Sequence, residues 1–155
     1  MATIPKDVKA ALIARLNSAY GGAELICDGY RINLEVRRVS ETSLRYAVCV
    51  FVNGVWKGDW CQERYTGPEQ KFARRVERPL HTPSERAQLL KAGPAYGRKG
   101  SAERREFEAG VNTTYVIYEP VFSSGRAAIN HLLRVSETVA VPEEMLPATA
   151  EAPAA

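Results

Sequence analysis

The chain has 155 residues, of which 45% are hydrophobic and 25% charged, and its formal net charge is +3. That length and apolar content suit one folded domain with a real core and exclude wholesale disorder, while so small a charge points to nucleic acid only if it is concentrated somewhere. Three cysteines, Cys27, Cys49 and Cys61, form an odd set without close pairing, which argues against a disulfide framework and for a reduced, cytoplasmic protein.

The opening residues, Met1 to Asp7, lack the apolar core of a signal peptide. No apolar run approaches the ~20 residues that span a bilayer, so a soluble protein is expected. Thr3 is expected to cap a first helix, with Pro5 and Asp7 in its first turn. Ile4, Val8, Leu12, Leu16 and Ala19 form the apolar stripe of that helix; Lys6, Lys9 and Arg15 face away, and Gly21-Gly22 ends it.

Ala23 to Trp60 then reads as a meander of four short strands, turning at Asp28-Gly29, at Ser40 to Ser43 and at Asn53-Gly54. Tyr30, Ile32, Leu34 and Val36 alternate with Arg31, Asn33, Glu35 and Arg37, giving one dry and one wet face. Leu44 to Asn53 is apolar on both faces, so that strand is expected to be central and covered on both sides. Val55 to Trp60 supplies the last strand, with Trp56 and Trp60 on one face.

From Gly67 the pattern turns helical, and Lys71, Arg74, Arg75 and Arg78 recur at the spacing that aligns them as one basic stripe before Pro79. Thr82-Pro83-Ser84-Glu85 is a helix start, with a capping threonine, proline in the first turn and glutamate three residues after the cap. A glycine-rich basic loop, Gly93 to Gly100, precedes a polar helix over Ser101 to Ala109. Thr113 to Tyr118 reads as a strand, and Ser123 or Ser124 caps a last helix in which Ile129, Leu132, Leu133 and Ser136 share a face with Val139. The fold class is therefore α+β: one domain over residues 1–141, with an antiparallel meander packed on the first helix and a mostly helical second half. Residues 142–155, rich in Ala, Pro and Glu, are expected to form a disordered tail.

Charge is concentrated in the middle. Residues 71–105 hold ten Lys or Arg against three Glu, whereas the rest hold eleven against fifteen acidic residues. A contiguous basic segment attracts phosphate backbones or acidic protein surfaces. No catalytic constellation accompanies it. The glycines at 93–100 are in the wrong register for a phosphate loop, His81 and His131 are fifty residues apart, and no cysteine pair has zinc-ligand spacing. Cys61 with His81 would need the fold to bring them together. No cofactor is implied. The rings of Tyr30, Tyr46, Phe51, Trp56, Trp60 and Tyr65 either finish the core or leave a stacking platform on the open sheet face.

Three resemblances add context. Gly97-Arg98-Lys99-Gly100 resembles the Gly-x-x-Gly loop with which KH domains clamp a nucleic-acid backbone; the same residues also suit a plain basic inter-helix loop. The order helix, strands, helix with lysine and arginine at the start of the second helix is similar to double-stranded-RNA-binding domains. Tyr115 to Ser124 with Arg126 to Leu133 resembles the C-terminal part of small bacteriophage and prophage proteins. That last resemblance implies a phage-borne accessory protein in a bacterial host cell, of a kind that often inhibits CRISPR or other defences. The expectation is a non-enzymatic binding protein that inhibits or redirects a host nucleoprotein machine through Lys71, Arg74, Arg75, Arg78, Arg98 and Lys99; direct RNA or DNA binding is the alternative.

Overall fold

A computed structural model describes residues 2–147. The architecture is α+β, as expected. The chain divides into two compact units: Arg75–Ile117 forms one, and the described residues on either side of that segment form the other.

The larger unit is built on three successive strands, β1 (Gly22–Cys27), β2 (Tyr30–Arg38) and β3 (Tyr46–Val52). Two-residue strands extend the sheet at each edge, β6 (Val121–Phe122) beside β3 and β7 (Val139–Ala140) beside β1, and every pairing is antiparallel. Asp28 and Gly29 both take positive φ, 50° and 81°, the geometry whose twist matches a tight hairpin, and Cys27 consequently pairs with Tyr30. The register sets Leu25 opposite Ile32 and Leu34 opposite Val50, so the apolar positions of all three strands fall on one face.

Two helices cover that face. Helix α1 (Lys6–Arg15) buries Val8 and Leu12, and α4 (Gly125–Val135) buries Ala128, Ile129, Leu132 and Leu133. Ser124 caps α4, its hydroxyl accepting from the Ala127 N–H at 3.2 Å. The helices approach closely where α4 begins: a Cβ on Gly125 would lie 2.5 Å from Leu16 Cβ, so only glycine fits. Phe72, wholly buried, joins the same core.

The structure corrects several expectations here. Helix α1 starts at Lys6, without a side-chain cap from Thr3, and ends at Arg15 rather than at the glycines. Gly21 instead packs on the helix end, where a Cβ would fall 1.9 Å from the Arg15 carbonyl oxygen. The Asn53-Gly54 turn forms, but only Val55 pairs back, as a bridge to Val52. Gly58–Cys61 then coils into a 3-10 turn that buries Trp60, with Trp56 edge-on at 5.2 Å, so the fourth meander strand does not exist. Nor is β3 covered on both sides. Its second face carries Cys49 and Phe51, half-buried, with the Arg37 guanidinium 4.6 Å above the Phe51 ring. Residues 143–145, expected in the tail, form a 3-10 turn whose Met145 packs against the core. The remainder of that tail, 148–155, lies outside the described residues.

The expected helix from Gly67 to Arg78 is the largest departure. Pro68–Phe72 is a 3-10 turn, and Arg74–Pro79 is a strand, β4, paired with β5 (Thr114–Glu119). β5 is rich in β-branched and aromatic residues, and pairing with it overrides the weak helical preference of the basic segment. In the unit Arg75–Ile117, the Leu80 N–H donates to the Thr113 carbonyl at 2.8 Å and the Thr114 hydroxyl donates to Glu77. Helices α2 (Pro83–Lys91) and α3 (Ala102–Val111) lie between β4 and β5 in the chain. Thr82 and Glu85 complete the expected capping box on α2, and Ser101 caps α3.

Candidate functional site

Of the six expected contact residues, the four expected to align as a stripe, Lys71, Arg74, Arg75 and Arg78, do not do so, because the helix that would align them is absent. Lys71 sits in the 3-10 turn, where its ammonium donates to Asp28 at 2.6 Å. Arg74 pairs with Glu119 at 2.8 Å. Arg75 and Arg78 lie on a strand, in which successive side chains alternate between faces. Arg98 and Lys99 are exposed in the loop before α3. Lys71 and Arg74 thus belong to the larger unit, and the other four to Arg75–Ile117.

Asp28 is a structural hub rather than part of a reactive site. One carboxylate oxygen accepts from the backbone N–H groups of Glu137 and Thr138, at 2.9 and 2.7 Å, and the other from Lys71. The Lys71 hydrogen bond, followed by that of Thr138, pulls its carboxyl from the ordinary 3.8 to about 2. Asp28 thus clamps the first hairpin to the segment after α4, while Lys71 is engaged in tying the same hairpin to the turn Pro68–Phe72.

A different cationic surface emerges where α1 and α4 lie side by side. Two adjoining open cavities, of about 580 and 370 Å³, run along this seam. Lys6 and Lys9, one helical turn apart, line both from α1. On α4, Arg126, Asn130 and Arg134 follow at intervals of four residues, and Arg74 closes one end. Among the described residues, no Asp or Glu lines either cavity. Lys6, Lys9 and Arg126 have no ion-pair partner among the described residues. Besides the cations and the polar Asn130 and Thr3, the lining includes an apolar strip: Ile4 and Ala127 are half-buried, and Phe122 and Leu133 lie beneath them.

His131 braces this groove. Arg134 can only donate, so its 3.1 Å contact makes His131 Nδ1 an acceptor and leaves the proton on Nε2, which donates to the Lys71 carbonyl at 2.9 Å. Burial lowers the His131 pKa below its usual range and keeps the ring neutral. Both nitrogens are thereby committed to structural partners. The groove offers positive charge over a greasy floor, which suits binding a ligand that is anionic and partly apolar.

Two of the three thiols, Cys27 and Cys49, are poor nucleophiles. Burial pushes Cys27 up to about 11 and raises Cys49, while Cys61 Sγ accepts from Trp56 Nε1 at 3.2 Å. No group of three metal-ligating side chains occurs among the described residues. No helix among them is long and apolar enough to cross a membrane. The meander aromatics are largely used in packing: Tyr30 meets Phe72 at 5.6 Å, and Trp60 meets both Trp56 and Tyr65.

In the smaller unit, the basic loop has a defined backbone. Gly97 and Gly100 take φ of 119° and 88°, which bulkier residues resist, and hold Arg98 and Lys99 between them. Just before the loop, Tyr96 stacks flat on Phe107 at 4.0 Å. No family model, curated protein or solved structure matches the chain. No single segment of the sequence carries the groove's charge. Its cations come from residues 6 to 9, 74 and 126 to 134. The sequence signal is Lys6 and Lys9 one turn apart, and Arg126 and Arg134 two turns apart on the polar edge of the amphipathic α4.

Proposed function

We propose that this chain is a non-enzymatic binding protein that grips an acidic protein surface in the groove between α1 and α4. In keeping with its resemblance to small bacteriophage accessory proteins, that surface would belong to a host nucleoprotein machine, such as a defence complex, which the chain inhibits or redirects. The observation that carries the reading is a cationic lining to which none of the described residues adds a carboxylate, set over an apolar floor. Uncompensated lysines and arginines repel one another, and an acidic partner relieves that cost while it speeds association.

The test is capture from nuclease-treated host lysate by the wild-type chain and by a Lys6→Glu, Lys9→Glu, Arg126→Glu variant. These side chains have no ion-pair partners to lose, so the variant should fold normally. The expected result is a defined protein captured by the wild type, in nuclease-insensitive fashion, and lost at least about tenfold in the variant. Equal capture by both, or capture abolished by nuclease, overturns the reading.

A second reading, direct binding of RNA or DNA, is favoured by one observation: the exposed Arg98-Lys99 pair held between two glycines in left-handed conformations. It requires that Arg98→Glu with Lys99→Glu abolish retardation of a labelled oligonucleotide at low salt. It also requires that wild-type affinity fall steeply as salt rises.

A further inference from the structure

We propose that the occupant of the α1–α4 groove is a short extended segment of a partner protein, in which a large apolar side chain is flanked by carboxylates. The proposal rests on reading the groove as the site for an acidic protein partner, and it specifies the form that partner takes.

Length is the first argument. Arg126 and Arg134 are eight residues apart on one helix, and at 1.5 Å per residue the cationic row spans about 12 Å. Extended chain advances about 3.3 Å per residue, so some four residues traverse the row. A whole folded face is not needed to satisfy it.

Charge placement is the second. Lys6 and Lys9 stand on one wall, and Arg126 and Arg134 on the other. In an extended segment of about three residues per turn, successive side chains point in three directions, so carboxylates directed to the two walls leave the third side chain facing the floor. The floor there is Ile4 and Ala127, which are only half-buried and present aliphatic surface. An apolar side chain seated on them gains burial that a purely acidic segment cannot.

The third argument separates protein from nucleic acid. A single strand held without sequence preference uses open aromatic faces on which bases stack. The one aromatic carbocycle in the lining, Phe122, is only 3% exposed and has its ring against His131 at 5.2 Å. The groove has cations for phosphates but no free ring for bases.

Fluorescence anisotropy on the full chain tests this with three labelled probes: the peptide Asp-Glu-Leu-Phe-Glu-Asp, the peptide Asp-Glu-Ser-Ser-Glu-Asp, and a twelve-nucleotide oligothymidine. The expected order places the Leu-Phe peptide at least about tenfold tighter than the Ser-Ser peptide, and the oligonucleotide weakest. The Lys6→Glu, Lys9→Glu, Arg126→Glu variant should lose the Leu-Phe peptide, and Ala127→Asp should remove its advantage over the Ser-Ser peptide. Equal affinity for the two peptides overturns the present proposal and leaves the acidic-partner reading standing. Preference for the oligonucleotide, or no peptide binding at all, overturns both.

Discussion

Each of the two compact units owes its internal stability to a different kind of interaction. The larger unit contains the entire core cluster, from Val8 and Leu12 through the three central strands to Ile129 and Leu132. The unit Arg75–Ile117 buries little beyond Gly93 and Val111, and α2 buries nothing. What it has instead is local chemistry: the Thr82–Glu85 capping box, the Ser101 cap, the Arg104–Glu108 pair at 2.7 Å, and Tyr96 stacked on Phe107. Apolar burial contributes cooperatively across a sheet, whereas caps and surface pairs stabilise only the turn that contains them. The larger unit should therefore unfold as a block, and the smaller one should open piecemeal at lower free energy.

Truncating Phe72 is the harshest test of that contrast. Its side chain is fully buried and touches the Tyr30 ring, and Phe72→Ala should cost about 3–5 kcal/mol through lost transfer energy and the cavity left behind. Urea denaturation followed by the tryptophans, Trp56 and Trp60, reads the larger unit directly. Phe107→Ala, by comparison, removes a stacked pair worth about 1 kcal/mol and should leave that tryptophan transition in place. If Phe107→Ala shifts it as far as Phe72→Ala does, the two units are one cooperative block.

Asp28 provides an intermediate effect with a distinctive pH signature. Its carboxyl is depressed from 3.8 to about 2 in the folded chain, so its stabilisation is complete well above pH 4 and is lost as pH falls through about 2. Asn at this position tolerates the positive φ of 50° and keeps one acceptor oxygen, but it loses the ion pair with Lys71. At pH 7, Asp28→Asn should destabilise the larger unit by about 1–2 kcal/mol, below the full linkage value because the Lys71 end is partly in water. The gap between variant and wild type should narrow between pH 4 and pH 2, measured by unfolding midpoints across that range. A gap that stays constant would mean that Asp28 acts through geometry alone.

What could be read from the chain without coordinates follows the same division between local and distant causes. The β1–β2 hairpin, the Thr82 capping box and the apolar face of α4 are each set by residues within one turn or one hairpin, and each is found where expected. The segment from Lys71 to Arg78 has a spacing that suits a helix, but Arg74–Pro79 is held as a strand by pairing with Thr114–Glu119, some forty residues later. The last meander strand does not form for a related reason: Gly58–Cys61 coils into a 3-10 turn that buries Trp60 in the core. The groove is the extreme case, since Lys6 and Arg134 become neighbours only once α1 and α4 have packed on the same sheet face.

The smallest expected effect is the most specific to the smaller unit. The Thr82 hydroxyl accepts from the Glu85 N–H at 3.3 Å while the Glu85 carboxylate accepts from the Thr82 N–H at 2.8 Å, so two otherwise orphaned donors are satisfied by one pair. Thr82→Ala removes the first bond and frees the glutamate from its other contact, the Thr82 hydroxyl, for a cost of about 1 kcal/mol. Helix α2 buries no residue, so nothing in tertiary packing can absorb the loss. Amide exchange across Pro83–Lys91 should therefore quicken about fivefold, the factor that a 1 kcal/mol loss implies, while the amides of β2 and β3 keep their wild-type rates. If β2 and β3 quicken in step with α2, the local-opening picture of the smaller unit is wrong and its stability derives from the core after all.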